Sequence, residues 1–98
     1  MQVKYLGDEG DYLRFEVTMQ TENPSRAVFA IEDRNEGELY SAILRTPFKV
    51  QTFKIEKGVY QSLNFKLING KNTFTRSFSV NRSLVETTTV SEGDITKL

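Results

Sequence analysis

Tyr60-Gln61-Ser62-Leu63-Asn64-Phe65-Lys66-Leu67-Ile68-Asn69-Gly70-Lys71-Asn72-Thr73-Phe74-Thr75-Arg76-Ser77-Phe78-Ser79-Val80 decides the fold. Two alternating runs flank Asn69-Gly70, a dipeptide that supplies the two left-handed residues of a type I′ turn, whose twist matches that of the strands it joins. With Ile68 placed opposite Lys71, Phe65 faces Phe74, Leu63 faces Arg76 and Leu67 faces Asn72. One face is then aromatic and aliphatic, while the other carries Asn64, Lys66, Thr73, Thr75 and Ser77. A hairpin dry on one face and wet on the other needs a second layer to cover it. The hairpin therefore predicts a packed β-structure and says nothing about chemistry.

Upstream segments supply that layer. Gln2 to Leu6 reads as a short strand, followed by the turn Gly7-Asp8-Glu9-Gly10. Asp11 to Gln20 alternates without a fault, with Leu13, Phe15, Val17 and Met19 on one face and Tyr12, Arg14, Glu16 and Thr18 on the other. Asn23-Pro24 ends it, because proline offers no N–H to a ladder. Arg26 to Asp33 follows, with Ala27, Phe29 and Ile31 inward, then a polar loop through Gly37 and a return strand from Glu38 to Leu44. In Phe48 to Ile55 the apolar residues change parity between Val50 and Phe53, so a bulge near Gln51-Thr52 is expected if all four point inward. Ser83 to Val90 reads as the last strand. Ser91-Glu92-Gly93-Asp94 interrupts it, and residues 91–98 read as a tail. No stretch holds a helical period, and turns recur at the spacing of a β-sandwich, so the expected fold is one all-β antiparallel sandwich of about seven strands spanning residues 1–98.

Composition narrows the chemistry. Thirteen basic and thirteen acidic residues give no net charge, and neither sign forms the long run or patch that a polyanion needs, so nucleic acid is not the expected partner. The absence of cysteine and histidine removes disulfides, thiolate metal sites and the usual catalytic triads. At 98 residues a single two-layer core is feasible, but a deep shielded cleft is not. A monomeric, cofactor-free binding domain follows as the expectation, with no catalytic activity. No apolar run reaches the length of a membrane span, and Met1-Gln2-Val3 lacks the charged and apolar regions of a signal peptide.

Val3-Lys4-Tyr5-Leu6-Gly7, Phe15-Glu16-Val17, Ile31-Glu32-Asp33, Leu39-Tyr40, Phe53-Lys54-Ile55 and Phe78-Ser79-Val80-Asn81, ahead of Thr96-Lys97-Leu98, occur in that order. The pattern resembles small secreted, immunoglobulin-like β-sandwich proteins of Bacteroidetes, a group largely without assigned function. It departs in the Phe48 to Phe53 spacing and in the Ser91 to Asp94 interruption. The resemblance implies a periplasmic or extracellular location, its signal lying outside this chain, and it transfers no catalytic residue.

Four groups of residues carry possible chemistry. Asp8, Glu9 and Asp11 gather carboxylates in a turn, as Ca²⁺ sites do, but their spacing is not that of an EF-hand loop, and a solvated turn is the expectation. Glu32, Asp33, Glu36 and Glu38 flank a second turn, where nothing shields a carboxyl enough to keep it protonated for acid catalysis. Arg76 shares a face with Phe74 and Phe78, where it can snorkel to water or hold an anionic or sugar ligand against a ring. Tyr12 and Tyr40, read as outward-facing, could stack on a sugar. The glycosylation-like triplet Asn81-Arg82-Ser83 is short enough to arise by chance. The expected activity is thus contact with a protein partner through a sheet edge, with polysaccharide binding through Tyr12, Tyr40 or Arg76 as the alternative.

Overall fold

Alternating strands bury one face each, and the chain satisfies this by stacking two antiparallel sheets. The computed structural model describes residues 1–82, 88–92 and 96–97, with side chains as far as Asn81. The strands are β1 (Gln2–Glu9), β2 (Tyr12–Gln20), β3 (Ala27–Asp33), β4 (Gly37–Ile43), β5 (Phe48–Glu56), β6 (Tyr60–Asn69), β7 (Asn72–Arg82), β8 (Thr88–Glu92) and β9 (Thr96–Lys97), with a single 3-10 turn at Pro24–Arg26. The smaller sheet has the order β1-β2-β5. The larger runs β4-β3-β6-β7, with β8 and β9 both paired to β7. Seven long strands thus form the two layers, and two short ones extend the far edge.

The dry faces meet as the alternation requires. Leu13, Phe15, Val17 and Met19 of β2 are buried against Phe29 and Ile31 of β3 and Leu63, Phe65 and Leu67 of β6, with Phe53, Phe78 and Val80 completing the core. Phe74 is half-buried against the same cluster. Phe15 sits at the centre of an aromatic group, with ring centroids 5.0 Å from Phe65, 5.2 Å from Phe78 and 5.3 Å from Tyr5. Tilted and edge-on geometries let the positive rim of one ring meet the negative face of another.

The central hairpin closes one residue later than its dipeptide suggests. Asn69 pairs with Asn72, so the turn is Gly70-Lys71, and Leu67 faces Phe74, Phe65 faces Arg76 and Leu63 faces Phe78. Gly70 alone takes a positive φ, +61°, which is the type II′ pattern, with glycine in the first central position, rather than type I′. Asn69 stays in the strand because its side-chain amide donates to Thr21 Oγ1 at 2.6 Å. The slip moves the pairing by two positions, so every side chain keeps its expected face. The β1–β2 hairpin is built alike, on Gly10-Asp11 between Glu9 and Tyr12, with φ +56° at Gly10.

β5 corrects a second expectation. It pairs with β2 from Phe48 to Glu56 without a register shift, so there is no bulge at Gln51-Thr52. Phe53 and Ile55 point inward, and Phe48 and Val50, of opposite parity, lie outward and exposed. Bulges occur instead near Leu6 in β1 and near Leu39 in β4. At the C-terminal end, Ser91-Glu92 belong to β8 rather than interrupting a strand, and Thr96–Lys97 pairs with Phe74–Thr75. Of the expected strand Ser83 to Val90, residues 83–87 lie outside the described residues.

Candidate functional site

Since β4 and β5 each pair on one side only, the sandwich has a side where two strand edges border solvent. A groove of about 880 Å³ opens there. Its floor is apolar: Ile31, Phe53 and Ile55 are buried and Tyr40 is half-buried. The ring of Tyr40 lies edge-on to Phe53, centroids 5.0 Å apart, and 6.2 Å from Phe29. Leu39, Val59 and Tyr60 form an exposed apolar rim. All residues from Phe53 to Gln61 border the groove, although side chains along β5 alternate between faces. Within β5 the unbroken part is Phe53 to Glu56, as arises where a groove runs along a strand's edge rather than over one face, and the β5–β6 connection and the start of β6 carry the lining on to Gln61.

Local hydrogen bonds hold the groove's ends. Asp33 is buried, and its Oδ1 accepts the backbone N–H groups of Asn35 and Ser62, both at 3.4 Å. Arg34 N–H donates to the Ser62 carbonyl at 3.0 Å, so the β3–β4 turn is stitched to the start of β6. Gln61 Nε2 donates to the Glu56 carbonyl at 2.9 Å, closing the β5–β6 connection. Gly58 makes room for it, since a Cβ there would stand 3.0 Å from Gln61 Cγ.

Charges around the groove are unevenly matched. Lys54 binds Glu9 at 3.2 Å and Lys57 binds Asp8 at 2.9 Å, while Arg14 approaches Glu9 at 3.7 Å. Glu36 and Glu56, which also line the groove, have no ion pair among the described residues. Asp8 further accepts the hydroxyl hydrogen bond of Tyr5. Burial, reinforced by the Asp8 carboxylate and opposed by Arg14, pushes the Tyr5 hydroxyl up to about 12.

The residues singled out from sequence do not converge. Tyr12 points outward from the smaller sheet and is exposed. Tyr40 pairs with Ile31 and turns inward to the groove, contrary to the outward orientation expected of it, because the bulge at Leu39 resets the strand's parity. Arg76 does lie on the inner face, opposite Phe65, and is half-buried. It stands three strands from Tyr40, roughly 14 Å at ordinary strand spacing. Tyr12, on the outer face of the smaller sheet, and Tyr40, on the inner face of the larger, thus lie apart rather than side by side. Part of each acidic turn is taken up by structural contacts: Asp8 and Glu9 bind cations, Asp33 caps a turn, and Glu32 binds Lys66 at 2.8 Å, whereas Glu36 keeps no ion pair among the described residues. Leu39, Val59, Tyr60 and Glu56 were not anticipated in a site. The available signal was Val59-Tyr60, two large apolar residues placed directly after a glycine turn. Against known proteins, the chain matches no family model, no curated sequence and no solved structure.

Proposed function

We propose that this domain is a non-catalytic, monomeric protein-interaction module that captures an extended segment of a partner along the open edge of β5. The observation that carries the reading is that β5, paired among the described strands with β2 alone, lends the consecutive residues Phe53 to Glu56 to the groove's lining, so that its open edge runs beside an apolar floor. Added strands gain main-chain hydrogen bonds from such an edge and side-chain specificity from the pockets next to it. β5 is the better template of the two edges that border the groove, since its ladder to β2 is regular whereas β4 is bulged.

The strand order supports an immunoglobulin-like sandwich. Lettered along the chain as A, B, C, C′, E, F and G, the first seven strands give A-B-E facing C′-C-F-G, a variation on the two sheets of that fold in which D is missing and C′ extends the larger sheet. An extracytoplasmic location rests on the sequence resemblance alone. Fold does not select function, so the groove rather than the sandwich carries the proposal.

Amide hydrogen exchange of the chain, with and without extended peptides or co-expressed envelope proteins, tests it. Capture along the edge protects amides between Thr52 and Glu56 and leaves β1 unchanged. Protection confined to other strands overturns it. A polysaccharide that shifts the Tyr40 and Tyr60 ring signals without protecting those amides would favour carbohydrate binding instead.

A further inference from the structure

We infer that the segment taken up at the β5 edge is cationic, alternating apolar residues with Lys or Arg; this rests on the edge-capture reading above. An extended strand presents successive side chains to opposite faces. With one row directed to the apolar floor of Tyr40, Phe53 and Ile55, the other row meets the rim. The rim's charge balance decides what that row must be. Both lysines of the lining are already neutralised from the β1–β2 side, Lys54 by Glu9 at 3.2 Å and Lys57 by Asp8 at 2.9 Å.

Glu36 and Glu56 are left without a cation among the described residues, one contributed by the β3–β4 turn of the larger sheet and the other by the end of β5 in the smaller. Arg34, in the same turn as Glu36, is not part of the lining. A groove with an apolar floor focuses the field of such carboxylates more than open water does. Tyr60 adds to the preference, because its ring is 69% exposed at the rim and can offer a face to an ammonium or guanidinium group. An acidic segment would instead bring like charges together as the groove loses water, and charge matching of this kind governs partner choice and encounter rate.

The test uses the full chain and a fluorescent octapeptide, Thr-Val-Lys-Val-Thr-Val-Lys-Thr, beside versions in which both Lys are replaced by Gln or by Glu. Binding is read by anisotropy and located by backbone amide shifts. The Lys peptide is expected to bind with shifts centred on Phe53 to Gln61, to weaken about fivefold or more in the E36Q/E56Q double variant, and to weaken again at about 0.5 M salt, where exposed charges are screened. The Glu peptide is expected not to bind. Equal affinity for all three peptides at the β5 edge overturns the cationic preference and leaves edge capture standing. Lys-peptide binding that is indifferent to E36Q/E56Q does the same. If no peptide of any charge moves those amides, edge capture itself fails and the preference falls with it.

Discussion

Two aromatic groups built from the same residue types meet different surroundings in this sandwich. Around Phe15, the rings of Tyr5, Phe65 and Phe78 close on one another between β1, β2, β6 and β7, with centroid separations of 5.0 to 5.6 Å. Around Phe29, the rings of Tyr40 and Phe53 pack at 6.2 and 5.3 Å, but Tyr40 is only half-buried and Phe53 borders the groove. Phe29 and Phe65 join the two groups at 6.5 Å. In the first group Phe15, Phe65 and Phe78 are buried, with half-buried Tyr5 at their margin, because further strands continue past them on the larger sheet, whereas the second lies where β4 and β5 end the two sheets. Identical side chains thus serve stability on one side of the molecule and remain available for contact on the other.

The sharpest way to break this comparison is at the enclosed group. Phe65→Ala is expected to cost about 3–5 kcal/mol, as emptying a buried aromatic site usually does, measured by urea unfolding. A loss below about 1 kcal/mol would mean that the Phe15 group is not the stabilising one. Next comes the hairpin that carries Phe65 and Phe78. Gly70→Val forces a β-branched residue to a φ of +61°, at a cost of roughly 1–3 kcal/mol. Lys71→Val, at the neighbouring turn position without a positive φ, is expected to be much milder. Equal costs would mean that Gly70 does not hold the positive φ.

On the open side, Tyr40→Ala is expected to cost only about 1–2 kcal/mol, because the ring already meets water on one face. A cost matching Phe65→Ala would show that both groups are core in the same sense.

The smallest effect is a titration at the margin of the enclosed group. The Tyr5 hydroxyl is raised to about 12 from an ordinary value of about 10, so folding favours its neutral form. Below about pH 10 this stabilisation is complete. As pH rises from there toward 12, the unfolded chain ionises first and the stabilisation is lost. Tyrosinate absorbance should show one tyrosine titrating late, and Tyr5→Phe should remove both that component and the accompanying alkaline fall in stability. A titration curve that Tyr5→Phe leaves unchanged near pH 12 would place Tyr5 in water.

Much of the enclosed half was legible in the sequence, and little of the open half. The alternation from Leu13 to Met19 and the parity of the β6–β7 hairpin depend only on neighbours along the chain, and both assigned inward faces correctly. The turn position was not legible, because Asn69 is held in its strand by Thr21, 48 positions away. Phe48 and Val50 were read as inward because they are hydrophobic, yet a regular ladder with β2 leaves their parity no choice. The groove belongs to neither strand alone. It exists because β4 and β5, consecutive in sequence, end up as the outer strands of different sheets, and only the pairing order of all the strands reveals that. Tyr12 and Tyr40 stand out in the sequence only by residue type, which carries no information about whether they meet, whereas the hairpin's parity puts Arg76 on the inner face, where it lies.

The two edges beside the groove also differ in a way that bears on self-assembly. An open sheet edge is a hazard, since identical chains can add to it without end. In β4 the bulge at Leu39 distorts the outer rim, and in β5 Lys49 occupies an inward-parity position beside Met19, where a continuing sandwich would have to bury its charge. One edge is therefore spoiled and the other is fit for a single short strand but poorly suited to a second copy of the whole domain. The expected stoichiometry at this side of the sandwich is one captured segment per domain.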